Sequence, residues 1–223
     1  PARKLLIATL AVLAVVAAVV LFLVRGQGGS QGYSVADEGF GHVHGIAVDP
    51  GSGALHVATH VGLFRIDDVD TAVRVSKEAP DLMGFTVVGP GHFLASGHPD
   101  RHDDGPANLG LIESTDGGVT WKTMSLSGAA DFHGLQAAHG AVYGYNSTDG
   151  AFMVSTDRQT WQKRSTVAMG AFAVSPTDPE SVLAIGRNGL QRSTDGGRTW
   201  QVVAGSPELA LLAWDQGGQV WAV

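Results

Sequence analysis

From residue 40 onward, short apolar runs alternate with polar turn residues. The segments HGIAVDP (44–50), MGFTVVGP (83–90), HGLQAAHG (133–140), MGAFAVSP (169–176) and ALLAWDQG (210–217) each open a unit. A second run follows in ALHVATH, HFLASGH, AVYGYNS and VLAIGRN, then a third in GLFRI, LGLIES, GAFMVS and GLQRS. Runs of this length, bounded by Gly, Pro, Asn and Asp, read as β-strands joined by tight turns. The unit starts lie 36–50 residues apart, in the range of propeller blades. A propeller hides its sheet edges by closing a ring of such units. The pattern therefore predicts an all-β chain: a β-propeller of four-stranded antiparallel blades over 39–223, with about four blades, a truncated fifth and an incomplete C-terminus.

Within the units, STDGGVTW at 114–121 returns as STDGGRTW at 193–200, and a shortened copy, STDRQTW, stands at 155–161. Each copy follows a third strand, so it falls in a hairpin turn. The Asp carboxylate can accept hydrogen bonds from turn N–H groups, Gly supplies positive φ, and Trp121, Trp161 and Trp200 can bury their rings between neighbouring units. The pattern S-x-D-x-G-x-T-W resembles the Asp-box, or BNR repeat, of sialidases, sortilin-type receptors and related β-propellers. Through HVHGIAVDP…GALHVATHVGLFRI, the chain resembles bacterial BNR-repeat proteins often labelled glycosyl hydrolase or sialidase-like. It also resembles photosystem-assembly propellers, less closely. The boxes themselves are structural and carry no chemistry.

Ahead of the repeats, residues 5–24 form an uncharged apolar run of 20, flanked by Arg3-Lys4 and Arg25. That length suits a helix crossing about 30 Å of hydrocarbon. No small-residue cleavage site follows it. The run predicts an uncleaved N-terminal transmembrane helix (1–25) and, in GQGGSQGYSVADE, a flexible tether (26–38). More positive charge before the helix than after it predicts a cytoplasmic N-terminus and an extracytoplasmic propeller, single-pass at the cell membrane. The net charge of −7 offers no basic footprint for nucleic acid. The chain has no cysteine, which leaves the redox compartment open.

Aligned units place His44, Met83, His133 and Met169 at one position, immediately before the Gly of each first strand. First strands line the axial channel, so these four side chains are expected to converge as a metal site. Two imidazoles and two thioethers form a soft set, suited to a copper ion as Cu(I). His42 lies on the same strand face as His44. The loops between second and third strands add His60, His98, Asn146 and Arg187, and the long loop of unit two adds His102 with Asp100, Asp103 and Asp104. Ligand-binding residues expected on this face are His42, His60, His98, His102 and Arg187, with His139 placed there too. The alternative occupant of the channel is a small polar ligand or a peptide.

A sialidase resemblance implies three channel arginines, a Tyr–Glu pair, an Asp acid and an F/Y-R-I-P motif. Phe64-Arg65-Ile66-Asp67 lacks the Pro and ends a third strand. Two carboxylates flanking a sugar bond are the glycosidase requirement. Asp100, Asp103, Asp104 and Asp131 are the candidates for catalytic roles. Asp49 falls in a first-to-second strand turn, on the opposite face. The leading reading is a membrane-anchored binding module with a His/Met-rich channel face. Its alternatives are a BNR-type glycoside hydrolase using the same face and an assembly scaffold for a membrane protein. Partners then include the membrane and a small ligand, a glycan or a protein.

Overall fold

A computed structural model describes residues 40–68, 71–76 and 78–223. The expected membrane helix (1–25) and tether (26–38) lie outside these residues. Among the described residues no helix is long and apolar enough to cross a membrane. They form four four-stranded antiparallel sheets and a closing hairpin. Blade one is β1 (Val43–Val48), β2 (Leu55–Thr59), β3 (Gly62–Asp68) and β4 (Thr71–Arg74). Blade two is β5 (Asp81–Gly89), β6 (His92–His98), β7 (Leu111–Ser114) and β8 (Lys122–Ser125). Blade three is β9 (Phe132–Ala138), β10 (Ala141–Asn146), β11 (Ala151–Ser155) and β12 (Gln162–Thr166). Blade four is β13 (Met169–Val174), β14 (Val182–Gly186), β15 (Gly189–Ser193) and β16 (Gln201–Val202). The hairpin is β17 (Leu212–Trp214) and β18 (Val220–Ala222). Strand order within every blade follows the chain, and the inner strands β1, β5, β9, β13 and β17 pack on one another in sequence. The result is a four-blade β-propeller arc in which the segment 210–217 begins the hairpin rather than a complete blade.

The core lies between blades. Leu63, Leu82, Phe85, Phe93 and Ile112 fill the first joint, with Trp121 against them. Leu94, Leu111, Phe132 and Val142 fill the second with Trp161. Tyr143, Phe152, Val174 and Val182 fill the third with Trp200. Each blade is a thin sheet with two faces to cover, so stacking supplies the apolar burial that a lone blade lacks.

The Asp-boxes build the turns as their residues require. Asp116 Oδ1 accepts from Ser114 Oγ (2.8 Å) and Thr120 N (2.9 Å), and its Oδ2 accepts from Thr120 Oγ1 (2.6 Å). Asp195 repeats this with Ser193 and Thr199. The Thr199 hydroxyl and amide lead the donors that hold the Asp195 carboxyl far below the ordinary carboxylate range. The shortened box keeps the scheme through Asp157 and Thr160, but Arg158 occupies the left-handed position (φ 62°) that Gly118 (φ 93°) and Gly197 (φ 87°) hold elsewhere. Arg158 then reaches to blade two. Its Nη1 lies 2.5 Å from Glu113 Oε1, which also receives His92 Nε2 at 2.7 Å.

The box tryptophans clip blades together. Trp161 Nε1 donates to Ser125 Oγ (3.0 Å), whose hydroxyl donates to Arg158 O (2.8 Å). Trp200 Nε1 donates to Ser165 Oγ (3.0 Å), whose hydroxyl donates to Gly197 O (2.7 Å). Both serines sit on the outer strand of the preceding blade. At the corresponding place in blade one, beside Leu63, stands Val75, and Trp121 Nε1 is buried with no hydrogen-bond partner among the described residues.

The boxes share a rim with the first hairpin turns. Gly117 N donates to Gly91 O, and Gly196 N to Glu180 O. Asp49 lies on this rim as well. Its carboxylate accepts from Ser52 Oγ (2.7 Å), Gly91 N (2.9 Å) and Gly51 N (3.1 Å), and the Ser52 hydroxyl leads the donors that pull its pKa down to about 2. The boxes thus mark one end of the propeller, and the strand starts carrying His44 and His133 open at the other.

Candidate functional site

At the open end a β-bulge recurs. In blade one Val43 pairs Thr59 and Gly45 pairs Ala58, which leaves His44 as the extra residue. Blade two skips Met83 between Leu82 and Gly84. Blade three skips His133 between Phe132 and Gly134. A bulge bends the strand and re-aims one side chain, and here it aims three of the expected ring residues. Blade four breaks the rule: Met169 pairs Gly186, Ala171 pairs Ile185, and Gly170 is the skipped residue. Counted from the partner strand, Met169 stands where Phe132 and Leu82 stand. It is 7% exposed and joins the apolar cluster of Tyr143, Phe152 and Val154. A one-residue slip reverses which side chain faces the core, so the expected fourth ring member is taken inward.

The histidines gather in two clusters. One nitrogen from each of His42, His44 and His60 lies within 4.8 Å of the other two. His44 Nε2 and His60 Nε2 are 3.2 Å apart, close to the roughly 3.3 Å between two imidazole ligands on one tetrahedral zinc. The His60 Nδ1 lies 2.7 Å from Asp81 Oδ1. That carboxylate can only accept, so Nδ1 carries the proton and Nε2 presents a lone pair toward His44. A carboxylate behind a ligating imidazole is the usual second layer of a metal site. Burial, followed by the neighbouring His60, lowers the pKa of His44, which favours the neutral form that metals require.

The second cluster joins His98, Asp131 and His133, again with one ligand atom from each within 4.8 Å. Asp131 Oδ2 receives His133 Nε2 (2.7 Å) and Ser147 Oγ (2.8 Å) and faces His98 Nε2 at 3.6 Å. Burial alone would raise the Asp131 pKa, but the hydrogen bonds from His133 and Ser147 outweigh it and the carboxyl is lowered.

The other expected residues divide. His102 and Arg187 are exposed in the loops of this end, outside both clusters. Met83 is half-buried at its bulge. By register the loop residue matching His60 and His98 is Ser147, and Asn146 instead ends β10 with its Oδ1 accepting Asp131 N. Of the carboxylates weighed for catalysis, Asp100 accepts Ala79 N (2.7 Å) and His102 N (3.1 Å), and Asp103 accepts Gly105 N. Both shape the long loop, and Asp104 lies exposed in it. Arg65 lies on β3 paired with Asp67, away from the open end. His139 follows β9 at the Asp-box end, where its Nε2 donates to Ser175 O (2.7 Å), so the expectation that it shares the His face is corrected. Asp81 escaped sequence reading, although the signal was present: D-L-M-G at 81–84 repeats as D-F-H-G at 131–134.

Fold and site together define a β-propeller with a histidine-rich open end. No family model matches the chain. The curated xyloglucanase Xgh74A of Acetivibrio thermocellus is 27% identical over 121 residues, covering 42% of this chain and 14% of that protein. The chain thus spans about one-seventh of the curated relative it matches. Among solved structures, the GH74 xyloglucanase from Xanthomonas campestris is similar at TM-score 0.57 and 16% identity, over 82% of this chain and 33% of that one. A gluconolactonase from the same organism is similar at TM-score 0.59 and 15% identity, over 81% and 68%. At these identities the likeness establishes the propeller fold, which GH74 glycoside hydrolases share.

Proposed function

We propose that this chain is a membrane-anchored, extracytoplasmic binding module that captures a transition-metal ion at His42, His44 and His60. The observation that carries this reading is the convergence of three imidazole nitrogens within 4.8 Å, with Asp81 fixing the tautomer of His60. Three neutral imidazoles suit Cu²⁺, Zn²⁺ or Ni²⁺. With Met169 in the core, the thioether share of the expected copper site falls, and imidazole nitrogen dominates. Zinc and copper titrations of the purified protein test the reading. One equivalent bound by the wild type and lost in His44→Ala with His60→Ala supports it, and uptake unchanged in that double variant refutes it.

A glycoside hydrolase is the second reading, favoured by the fold shared with GH74 enzymes and the partial match to a xyloglucanase. Its candidate carboxylates are Asp81 and Asp131, at the strand starts of the open end. The lowered pKa of Asp131 suits a base or nucleophile, while a general acid must stay protonated. Turnover of aryl glycosides or xyloglucan oligosaccharides that disappears in Asp131→Asn supports this reading, and no turnover removes it.

A further inference from the structure

We infer that His98, Asp131 and His133 form a second metal site, a two-histidine, one-carboxylate set that binds a divalent first-row ion across the joint between blades two and three. Three observations converge on it. First, the tautomer of His98 is fixed. Its Nδ1 lies 2.9 Å from Ala107 O, and a carbonyl can only accept, so the neutral ring keeps its proton on Nδ1. Its Nε2 lone pair then faces Asp131 Oδ2 at 3.6 Å. Asp131 Oδ2 also receives His133 Nε2 at 2.7 Å and Ser147 Oγ at 2.8 Å, so an ion here takes the place of the His133 proton, which moves to Nδ1 of that ring, and is met by the free Nε2 of His98.

Second, Asp131 is 6% exposed, and its Oδ1 is buried with no hydrogen-bond donor among the described residues. Buried polar atoms find partners as a rule, so the carboxylate keeps acceptor capacity that His133 and Ser147, both on Oδ2, do not use. Third, the backbone around Asp131 is held both from its own blade and from blade two. Asn146 Oδ1 accepts Asp131 N (2.9 Å), and Ser96 Oγ of blade two accepts Phe132 N (2.9 Å). The carboxylate is placed before any ion arrives.

The side chains of His98 and His133 are 40% and 38% exposed, so the face opposite the carboxylate is open. An ion held there keeps coordination positions for water or a ligand, the mark of a reactive rather than a closed structural site. Two imidazoles and a carboxylate are harder than three imidazoles and extend the range toward Fe²⁺, Mn²⁺ and Co²⁺. The set shares no residue with His42, His44 and His60, and its test separates the two.

The experiment is calorimetric titration of the purified full chain with Zn²⁺, with Co²⁺ absorption as a spectroscopic check on coordination. Wild type is expected to bind two equivalents. His98→Ala, at a partly exposed side chain that leaves the core intact, and Asp131→Asn are each expected to lose one equivalent or weaken it at least tenfold. His44→Ala with His60→Ala retains the equivalent that His98→Ala removes. If that double variant binds nothing at all, or if His98→Ala binds as wild type does, the second site is overturned. If His98→Ala alone abolishes uptake, the second site stands and the three-histidine site falls.

Discussion

The joint between blades one and two lacks the hydroxyl that closes the other two described joints, and Val75→Thr should supply it. Threonine keeps the branched shape of valine, so the packing of this side chain against the cluster of Leu63 and Phe93 changes little. The new hydroxyl meets Trp121 Nε1, buried and unpaired among the described residues, and Gly118 O, by analogy with Ser165 between Trp200 and Gly197. One net hydrogen bond contributes about 0.5–1.5 kcal/mol, and relieving an orphaned donor places the gain toward the upper end. For a domain of this size that raises Tm by about 2–4 °C per kcal/mol. Urea unfolding of wild type, Val75→Thr and Ser165→Ala reads both directions, with Ser165→Ala expected to lose about 1–3 kcal/mol. If Val75→Thr destabilises the protein while Ser165→Ala costs it stability, the hydroxyl is not the missing part of the first joint. If Ser165→Ala leaves the midpoint unchanged, the clasp has no energetic role anywhere.

Gly197→Ala should be severely destabilising, by about 3 kcal/mol or more. An added Cβ collides with the fully buried Phe152 ring, whereas at Gly117 it meets nothing within 4 Å; there Ala costs only the positive-φ penalty of about 1 kcal/mol. Equal thermal shifts for the two variants would contradict this. Arg158→Gly relieves a strained backbone but strips Glu113 of its cation, so a net loss of about 1–2 kcal/mol is expected, partly recovered by Glu113→Gln; a more stable Arg158→Gly in urea would show that the ion cluster does not hold the joint. Asp49, its pKa lowered to about 2 by Ser52 and the turn amides, contributes stability that is complete above the ordinary carboxylate pKa near 4 and is lost as pH falls through 2. The amount is on the order of 1 kcal/mol after solvent screening, and Asp49→Asn should flatten that part of the acid unfolding profile.

The propeller was legible because its information is local and repeated. Each box names its own turn, since the Asp, Ser and Thr that cap it lie within a few residues. Strand alternation likewise needs only neighbours. The site was legible in part. His44 and His133 stood out from alignment of the first strands, but the fate of Met169 depends on strand register. A bulge that shifts from the residue before Gly to the Gly itself leaves no trace in composition. His60 and Asp81 meet across a blade boundary, as do His98 and Asp131, and such pairs are set by stacking geometry rather than by spacing along the chain. The recurrence of Asp three residues before Gly84 and Gly134 was the one local clue to them.

The displaced bulge of blade four has a wider meaning. In blades one to three the skipped residue delivers His, Met and His to the open end, while in blade four it delivers a glycine. The hydrogen-bonded ladder is continuous on either side of the skip in every blade. The choice of which side chain reaches the open end is therefore decoupled from the integrity of the sheet. A repeat built this way can gain or retire a ligand by moving one residue across its strand opening, with the core side chain and the exposed one trading places. Variation among propeller sites then need not come from new loops or new blades, because the register of a single strand start acts as the selector.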